Sequence, residues 1–351
     1  MSHGIEFDAA KFGMAPDTVV TQLGGGRNSR VFLLEEPGEQ PFVCKRYFVS
    51  PDDTRDRQGT EAKALAFFEK MGVENVPRLL GVDTALHASF ISYIDGERIC
   101  EPSLHDVQCV GDFLVKLIHF SESEEARSVG FRPASEAFFS ASKIIANIDT
   151  RLERLTSLDL ATPAYTQLKV FLEESLLPGY ASFSSLLSKT FESEGMLEGM
   201  AIPSGWRILS PSDVGTHNAI RLQDGSLSFF DFEYLGWDDP SKMLADFCLH
   251  PAMDLSESQQ GVFLKILVPA LDSIGFVRSR AKALFPLFGI KWCCILLNEF
   301  VPCEAARRSH AEGGEVEDKE PVLRRQLSKA QKLLNSLEER TEIFSRQLDK
   351  A

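Results

Sequence analysis

The sequence predicts an α+β chain in two parts, an N-terminal antiparallel sheet with one helix and a larger, mainly helical C-terminal part. Three observations predict it. The first hundred residues carry short β-type runs separated by turn signals, with a single Ala- and Leu-rich helical stretch among them. From His105 onward helical periodicity dominates. That periodicity is broken once, at Trp206–Glu233, by short apolar strands and a Pro/Ser/Gly-punctuated loop.

In chain order, Thr18–Leu23 and Ser29–Glu35 read as strands flanking Gly24-Gly25-Gly26-Arg27-Asn28, a hairpin turn. Pro41–Phe48 is a third strand, with Val43 and Lys45 on one face and Cys44 on the other. Thr60–Met71 is a helix ended by Gly72, and Arg78–Asp83 and Ala88–Tyr93 are two further strands. Ile94-Asp95-Gly96 breaks the pattern as a hinge. Helices are expected over Asp106–Phe120, Ser135–Leu158 and Pro163–Leu177, with a loop at Thr190–Ser204. Asp-Gly at 224–225 marks a hairpin turn inside the irregular region. Beyond it, one of Asp238 and Asp239 caps a helix that has Pro240 near its first position. Helices resume through Leu271 and over Ser279–Phe300, an acidic loop covers His310–Glu320, and residues 321–351 form one long amphipathic helix. This divides the chain into residues 1–94, 95–320 and 321–351. The last segment is expected to pack back on the helical part, with pairing to a second copy as the alternative, so the chain is a monomer or homodimer.

Length and composition fit that picture. The chain has 351 residues, enough for two cores. Its formal net charge of −14, from 37 basic and 51 acidic residues, argues against non-specific binding to nucleic acid or an anionic membrane. The seven cysteines lack zinc-ligand spacing and read as free thiols of a reducing compartment. No signal peptide pattern and no membrane-length apolar run are seen, so a cytoplasmic location is expected.

The chemistry is carried by Asp213, Asn218 and Asp231. Asp213 and Asn218 lie five apart in Ser210-Pro211-Ser212-Asp213-Val214-Gly215-Thr216-His217-Asn218, and Asp231 ends an apolar strand in Phe229-Phe230-Asp231-Phe232-Glu233. Such a set suits phosphoryl transfer: one carboxylate accepts the proton of an attacking hydroxyl, and an amide and a second carboxylate hold Mg²⁺ on nucleotide phosphates. His217, although adjacent to Asn218, reads as structural or substrate-lining. Upstream, Gly25, Gly26, Asn28 and Ser29 form a turn whose backbone N–H groups can approach phosphates. It is not a Walker loop, because no Gly-Lys-Ser/Thr follows and no helix starts there. Lys45 is a charge inside an apolar strand and needs a partner. Glu61, in the first helical turn after it, supplies one.

Together these residues resemble the aminoglycoside phosphotransferase and choline kinase family, small-molecule relatives of the protein kinases, over about residues 18–300. The turn Gly25-Gly26-Arg27-Asn28-Ser29, Lys45 and Glu61 match the family's nucleotide-binding positions. Ser92-Tyr93-Ile94-Asp95-Gly96 looks like its linker, in which the backbone at Ser92 and Ile94 would hydrogen-bond adenine. Asp213 and Asn218 match its catalytic loop, and Phe230-Asp231-Phe232-Glu233 its metal motif. The resemblance implies a two-lobed protein-kinase-like fold, ATP and Mg²⁺ as cofactors, and a small-molecule hydroxyl acceptor, with the acidic composition tilting towards a cationic one. It implies Asp213 as base and Asn218 and Asp231 as metal ligands. One departure marks a divergent branch: Pro211 stands where the family has His, giving Ser-Pro-Ser-Asp for His-Gly-Asp. AMP transfer, or nucleotide binding without catalysis, are the alternatives on the same fold.

Overall fold

The structure is a computed structural model, described at residues 12, 14–23, 29–49, 53, 55–158, 162–302 and 319–351. The elements in chain order are β1 Val19–Leu23, β2 Ser29–Glu35, β3 Phe42–Tyr47, α1 Arg57–Lys70, β4 Leu79–Asp83, β5 Ala88–Ser92 and β6 Glu97–Arg98. Then come α2 Leu104–Ser121, α3 Glu124–Ser128, α4 Ala141–Thr156, α5 Pro163–Phe171 and α6 Leu177–Ser193. The irregular region supplies β7 Ile208–Ser210, β8 Ala219–Arg221, β9 Leu227–Phe229 and β10 Gly236–Asp238. The remaining helices are α7 Pro240–Leu249, α8 Glu257–Ser273, α9 Arg278–Leu296, α10 Glu320–Asn335 and α11 Leu337–Lys350.

The chain forms two compact units. One holds the described residues up to Glu97 together with Ile220–Tyr234, and the other holds Arg98–Ala219, Leu235–Val301 and Lys319–Ala351. In the first unit β1-β2-β3-β5-β4 make one antiparallel sheet, so β3 is its central strand. Lys45 pairs in register with Val31 on one side and Ser89 on the other. Phe32, Leu34, Cys44 and Ala88 form a buried cluster, with Phe12, Met14, Val20, Phe42 and Phe90 packed against it. Helix α1 starts at Asp56, whose side chain accepts from the Gly59 N–H, and it buries Glu61, Ala64, Leu65, Phe67 and Phe68. Gly72, at φ 69°, follows its C-terminal end.

The second unit is built round α9, which buries most of its residues, Arg280 and Lys291 included. Helices α4, α6, α7, α10 and α11 pack on it, and α2 packs on α8. Capping boxes start two of these helices, Ser103 with Asp106 on α2 and Ser256 with Gln259 on α8. Strands β7 and β10 pair antiparallel, Ser210 opposite Gly236. The Ser121 hydroxyl accepts from the Leu209 N–H at 2.7 Å, tying β7 to α2. Trp237 exchanges backbone hydrogen bonds with Arg132 and Ala134, so the backbone runs very close at Gly236. A Cβ there would lie 2.2 Å from the Arg132 carbonyl oxygen and 2.7 Å from the Ala134 nitrogen. Backbone cannot yield as a side-chain tip can. Gly236→Ala is therefore expected to destabilise the protein by about 1–3 kcal/mol, read as a lowered thermal midpoint; an unchanged midpoint would refute this close approach.

Most sequence-predicted elements are present, with instructive differences. The hairpin Ile220–Tyr234 joins the sheet-containing unit instead of the helical one, because Phe229 N–H donates to the Asn75 carbonyl and Phe232 N–H to Glu61. Helix α4 begins at Ala141, not Ser135, since Pro133 bridges Trp237 and Glu136 sits at φ 57°. Residues 163–193 run on past Leu177 through a π-helical turn, Leu172–Leu176, which accommodates Pro178. The last segment is two helices parted at Ser336; α10 packs on α9 and α5, and α11 on α8 and α9, all within their own unit. The acidic loop falls almost wholly outside the described residues. Among those residues one helix, Arg278–Phe300, is long and apolar enough to cross a membrane by length and composition, contrary to the sequence expectation. Its apolar window is 78% buried within the protein.

Candidate active site

In the first unit the site is assembled round one ammonium. Because β3 is central and α1 packs beside it, Lys45 is buried at 4% exposure and must be neutralised internally. Its Nζ lies 2.8 Å from Glu61 Oε2, 2.5 Å from Asp231 Oδ1 and 3.2 Å from Glu233 Oε2. Burial alone would lower the lysine's pKa; Asp231, Glu61 and Glu233 overcome that and hold it well above the ordinary range. Glu61 is fixed in turn by the Tyr47 hydroxyl and by the Phe232 N–H at 3.1 Å. Arg57 reaches Asp53 at 2.5 Å and Glu233 at 3.6 Å.

Asp231 follows β9 in a left-handed conformation, φ 69°, which a non-glycine residue seldom adopts. Phe232 pins that turn, its ring edge-on to Phe68 with centroids 4.8 Å apart. Burial first, then the neighbouring Glu233 and Glu61 carboxylates, push the Asp231 carboxyl up to about 7 against the pull of Lys45. Ser29 opens β2 and is buried, Ser92 ends β5 with its hydroxyl accepting from the Arg78 N–H, and Ile94 follows. Gly25, Gly26 and Asn28 lie outside the described residues.

The second unit carries Asp213 and Asn218. Ser212, at φ 67°, is braced on three sides. Its N–H donates to the Ser210 hydroxyl at 3.0 Å, its own hydroxyl donates to the Ser135 carbonyl at 2.8 Å, and Lys242 Nζ donates to that hydroxyl at 3.0 Å. Lys242 is buried between Asp238 at 2.9 Å and Asp246 at 3.0 Å. These contacts hold the loop that contains Pro211. Asn218, at the end of a 3₁₀ turn over Thr216–Asn218, donates its Nδ2 to the Asp213 carbonyl at 2.8 Å. That bond fixes the amide's orientation and leaves Oδ1 as its acceptor atom.

Asp213 is 39% exposed at its side chain, and its Oδ1 lies 3.0 Å from His217 Nε2 and 3.3 Å from His250 Nε2. Removal from bulk water raises its carboxyl, but the hydrogen bonds from His217 and His250 outweigh this and hold it well below the usual range. It is therefore a carboxylate at neutral pH. His217, read from the sequence as structural or substrate-lining, lies against the Asp213 carboxylate. His250 and Lys242 were invisible to sequence reasoning. Neither sits in the loop motif, and a helical Lys beside Asp residues reads as a surface ion pair. The only available signal was Lys242 spaced four from both Asp238 and Asp246 in an otherwise apolar helix.

Solved structures share this fold. A choline/ethanolamine kinase family protein from Mesorhizobium loti superposes with a TM-score of 0.58 at 18% identity, covering 97% of this chain and 96% of that one. An ethanolamine kinase from Plasmodium vivax gives 0.57 at 12% identity, with 93% and 85% covered. A spectinomycin phosphotransferase solved with ADP and spectinomycin gives 0.58 at 9% identity, with 92% and 93% covered. The chain thus has the protein-kinase-like fold of small-molecule kinases. No protein-family model and no curated protein sequence matches it.

Proposed function

We propose that the protein is an ATP-dependent phosphotransferase acting on a hydroxyl of a small molecule. The observation that carries the reading is the buried Lys45 held by Glu61 and Asp231, in a chain whose second unit presents an ionised Asp213 five residues before Asn218. The fold supports it, since the solved structures sharing it are named for choline, ethanolamine and spectinomycin phosphorylation. The acceptor is an amino alcohol, amino sugar, sugar or similar small molecule, and the choline, ethanolamine and spectinomycin of these names favour an amine-bearing one.

On this reading Lys45 binds the α- and β-phosphates, Ser29 and the preceding glycine turn contribute backbone donors, and the backbone at Ser92 and Ile94 receives adenine. Asn218 Oδ1 and the Asp231 carboxylate would hold Mg²⁺, which would supply charge neutralisation on the nucleotide phosphates. The donor set fits a hard cation: an amide oxygen whose nitrogen is already committed, and a carboxylate in a cluster where three acids face one lysine. Asp213 accepts the proton from the acceptor hydroxyl and orients its oxygen for in-line attack.

An ATP-consumption screen over hydroxyl-bearing amines, amino sugars and sugars tests this, with Asp213→Ala as control. Mass spectrometry of the product separates phosphate from AMP transfer. No acceptor-dependent ATP consumption, or an adenylylated product, would overturn the reading. Asp231→Ala is expected to raise the Mg²⁺ concentration needed for half-maximal activity by about tenfold or more, because one of two protein ligands is lost. The fold should survive, as Lys45 keeps Glu61 and Glu233. An unchanged Mg²⁺ titration would remove Asp231 from the metal site.

A further inference from the structure

We propose that His217 and His250 are positioning residues that together clamp one oxygen of Asp213, so that only its other oxygen can take the acceptor's proton. This deepens, and rests on, the assignment of Asp213 as base. Both imidazoles direct Nε2 at the same carboxylate oxygen, Oδ1, at 3.0 and 3.3 Å. The rings are stacked, centroids 4.2 Å apart and 7° from parallel, so each limits the rotation of the other. His250 is wedged further by Trp292, edge-on at 4.7 Å, whose Nε1 donates to Asp246 at 2.9 Å. Asp246 binds Lys242, and Lys242 braces Ser212, the residue before Asp213. The base is thereby held from its backbone side and its side-chain side by one connected network.

The hydrogen-bond pattern settles where the protons are. The Ala252 N–H donates to His250 Nδ1 at 3.2 Å, so Nδ1 is unprotonated and the ring's proton is on Nε2, where it is donated to Asp213. His217 Nδ1 is buried without a hydrogen-bond partner, which is tolerable for a bare lone pair and costly for an N–H, so its proton is also on Nε2. Gly215 makes room for this ring: a Cβ there would lie 2.7 Å from His217 Nδ1 and Cε1, and 2.6 Å from Met253 Sδ. The three side chains also have the composition of a transition-metal site. Coordination would need the lone pair of His250 Nε2, and hence a proton on Nδ1 facing the Ala252 N–H. The cluster is therefore a pair of donors on an anion.

The test compares His250→Gln, which keeps a donor, with His250→Phe, which keeps the ring shape and loses it. Thermal melts first establish that both variants fold. With Mg·ATP and water as acceptor, and with any acceptor found by the screen, His250→Phe is expected to lose about 10²-fold in kcat with KM for ATP unchanged, as a misplaced base would. His250→Gln should recover most of that loss. Equal losses in both variants would mean packing alone and would overturn the proposal, as would a change confined to KM for ATP. A second readout does not depend on activity. In ¹⁵N-histidine-labelled full-length protein, both rings should carry a proton on Nε2, with signals that move in Asp213→Ala. A ring whose Nε2 carries no proton, at either histidine, would overturn the clamp. Expected tautomers in a wild-type protein that neither hydrolyses nor transfers phosphate would instead refute the phosphotransferase reading and leave the clamp standing.

Discussion

Asp213→Asn is expected to lower turnover by about 10³-fold on a confirmed acceptor while leaving nucleotide affinity within about twofold. The substitution is nearly isosteric, and its amide oxygen can still accept from His217 and His250, so the loop should keep its shape. What disappears is a carboxylate that the two histidines keep ionised at neutral pH. On the proposed reading Lys45, Glu61 and Asp231 handle the nucleotide and Asp213 the acceptor, so binding and chemistry should separate cleanly. Steady-state kinetics with a fluorescent-nucleotide titration would check both halves. Near-normal turnover would remove Asp213 as base; a large loss of nucleotide affinity would show that its role is not confined to the acceptor.

The largest stability effect is expected at Lys242. Burial alone would lower its pKa, but Asp238 and Asp246 overcome this and hold the ammonium above the ordinary lysine range. A folded pKa raised above the unfolded value means that the stabilisation is complete below about pH 10 and is lost only as pH rises through the folded value. Across the neutral range it is fully present. Lys242→Met leaves Asp238, which is fully buried, without its cation. Removing one partner of a buried pair costs about 3–5 kcal/mol. Chemical denaturation should show that loss, and adding Asp238→Asn should restore part of it, because the two changes share one interaction. A loss below about 1 kcal/mol would mean that the pair behaves like a surface one. Turnover should fall in Lys242→Met even well below its melting point, since Ser212 loses its brace.

Much of this was legible because local rules and the fold agree. The β1–β5 pattern, α1 and its end at Gly72, and the Asp239 cap with Pro240 at the first turn all follow from periodicity and capping chemistry. Lys45 and Glu61 could be paired in advance because a charge in an apolar strand demands a partner, and the next helix offered one. What could not be read was long-range. His250 closes on Asp213 from the end of α7, and no local pattern announces that approach. Lys242 looks like a solvent-facing lysine until α9 covers it. The late start of α4 reflects the Pro133–Trp237 bridge, which overrides a stretch that is acceptable helix sequence on its own.

The first unit's composition also has a consequence for how the chain reaches its native state. Lys45 finds Glu61 across 16 positions but Asp231 only across 186. By the logarithmic scaling of loop closure, the second contact costs about 2 kcal/mol more chain entropy than the first. A nascent chain can thus form the sheet and the Lys45–Glu61 pair well before the hairpin that carries Asp231 has been synthesised. No contiguous stretch of the polypeptide reproduces the unit, and the aspartate is a late arrival in an assembly order set by connectivity.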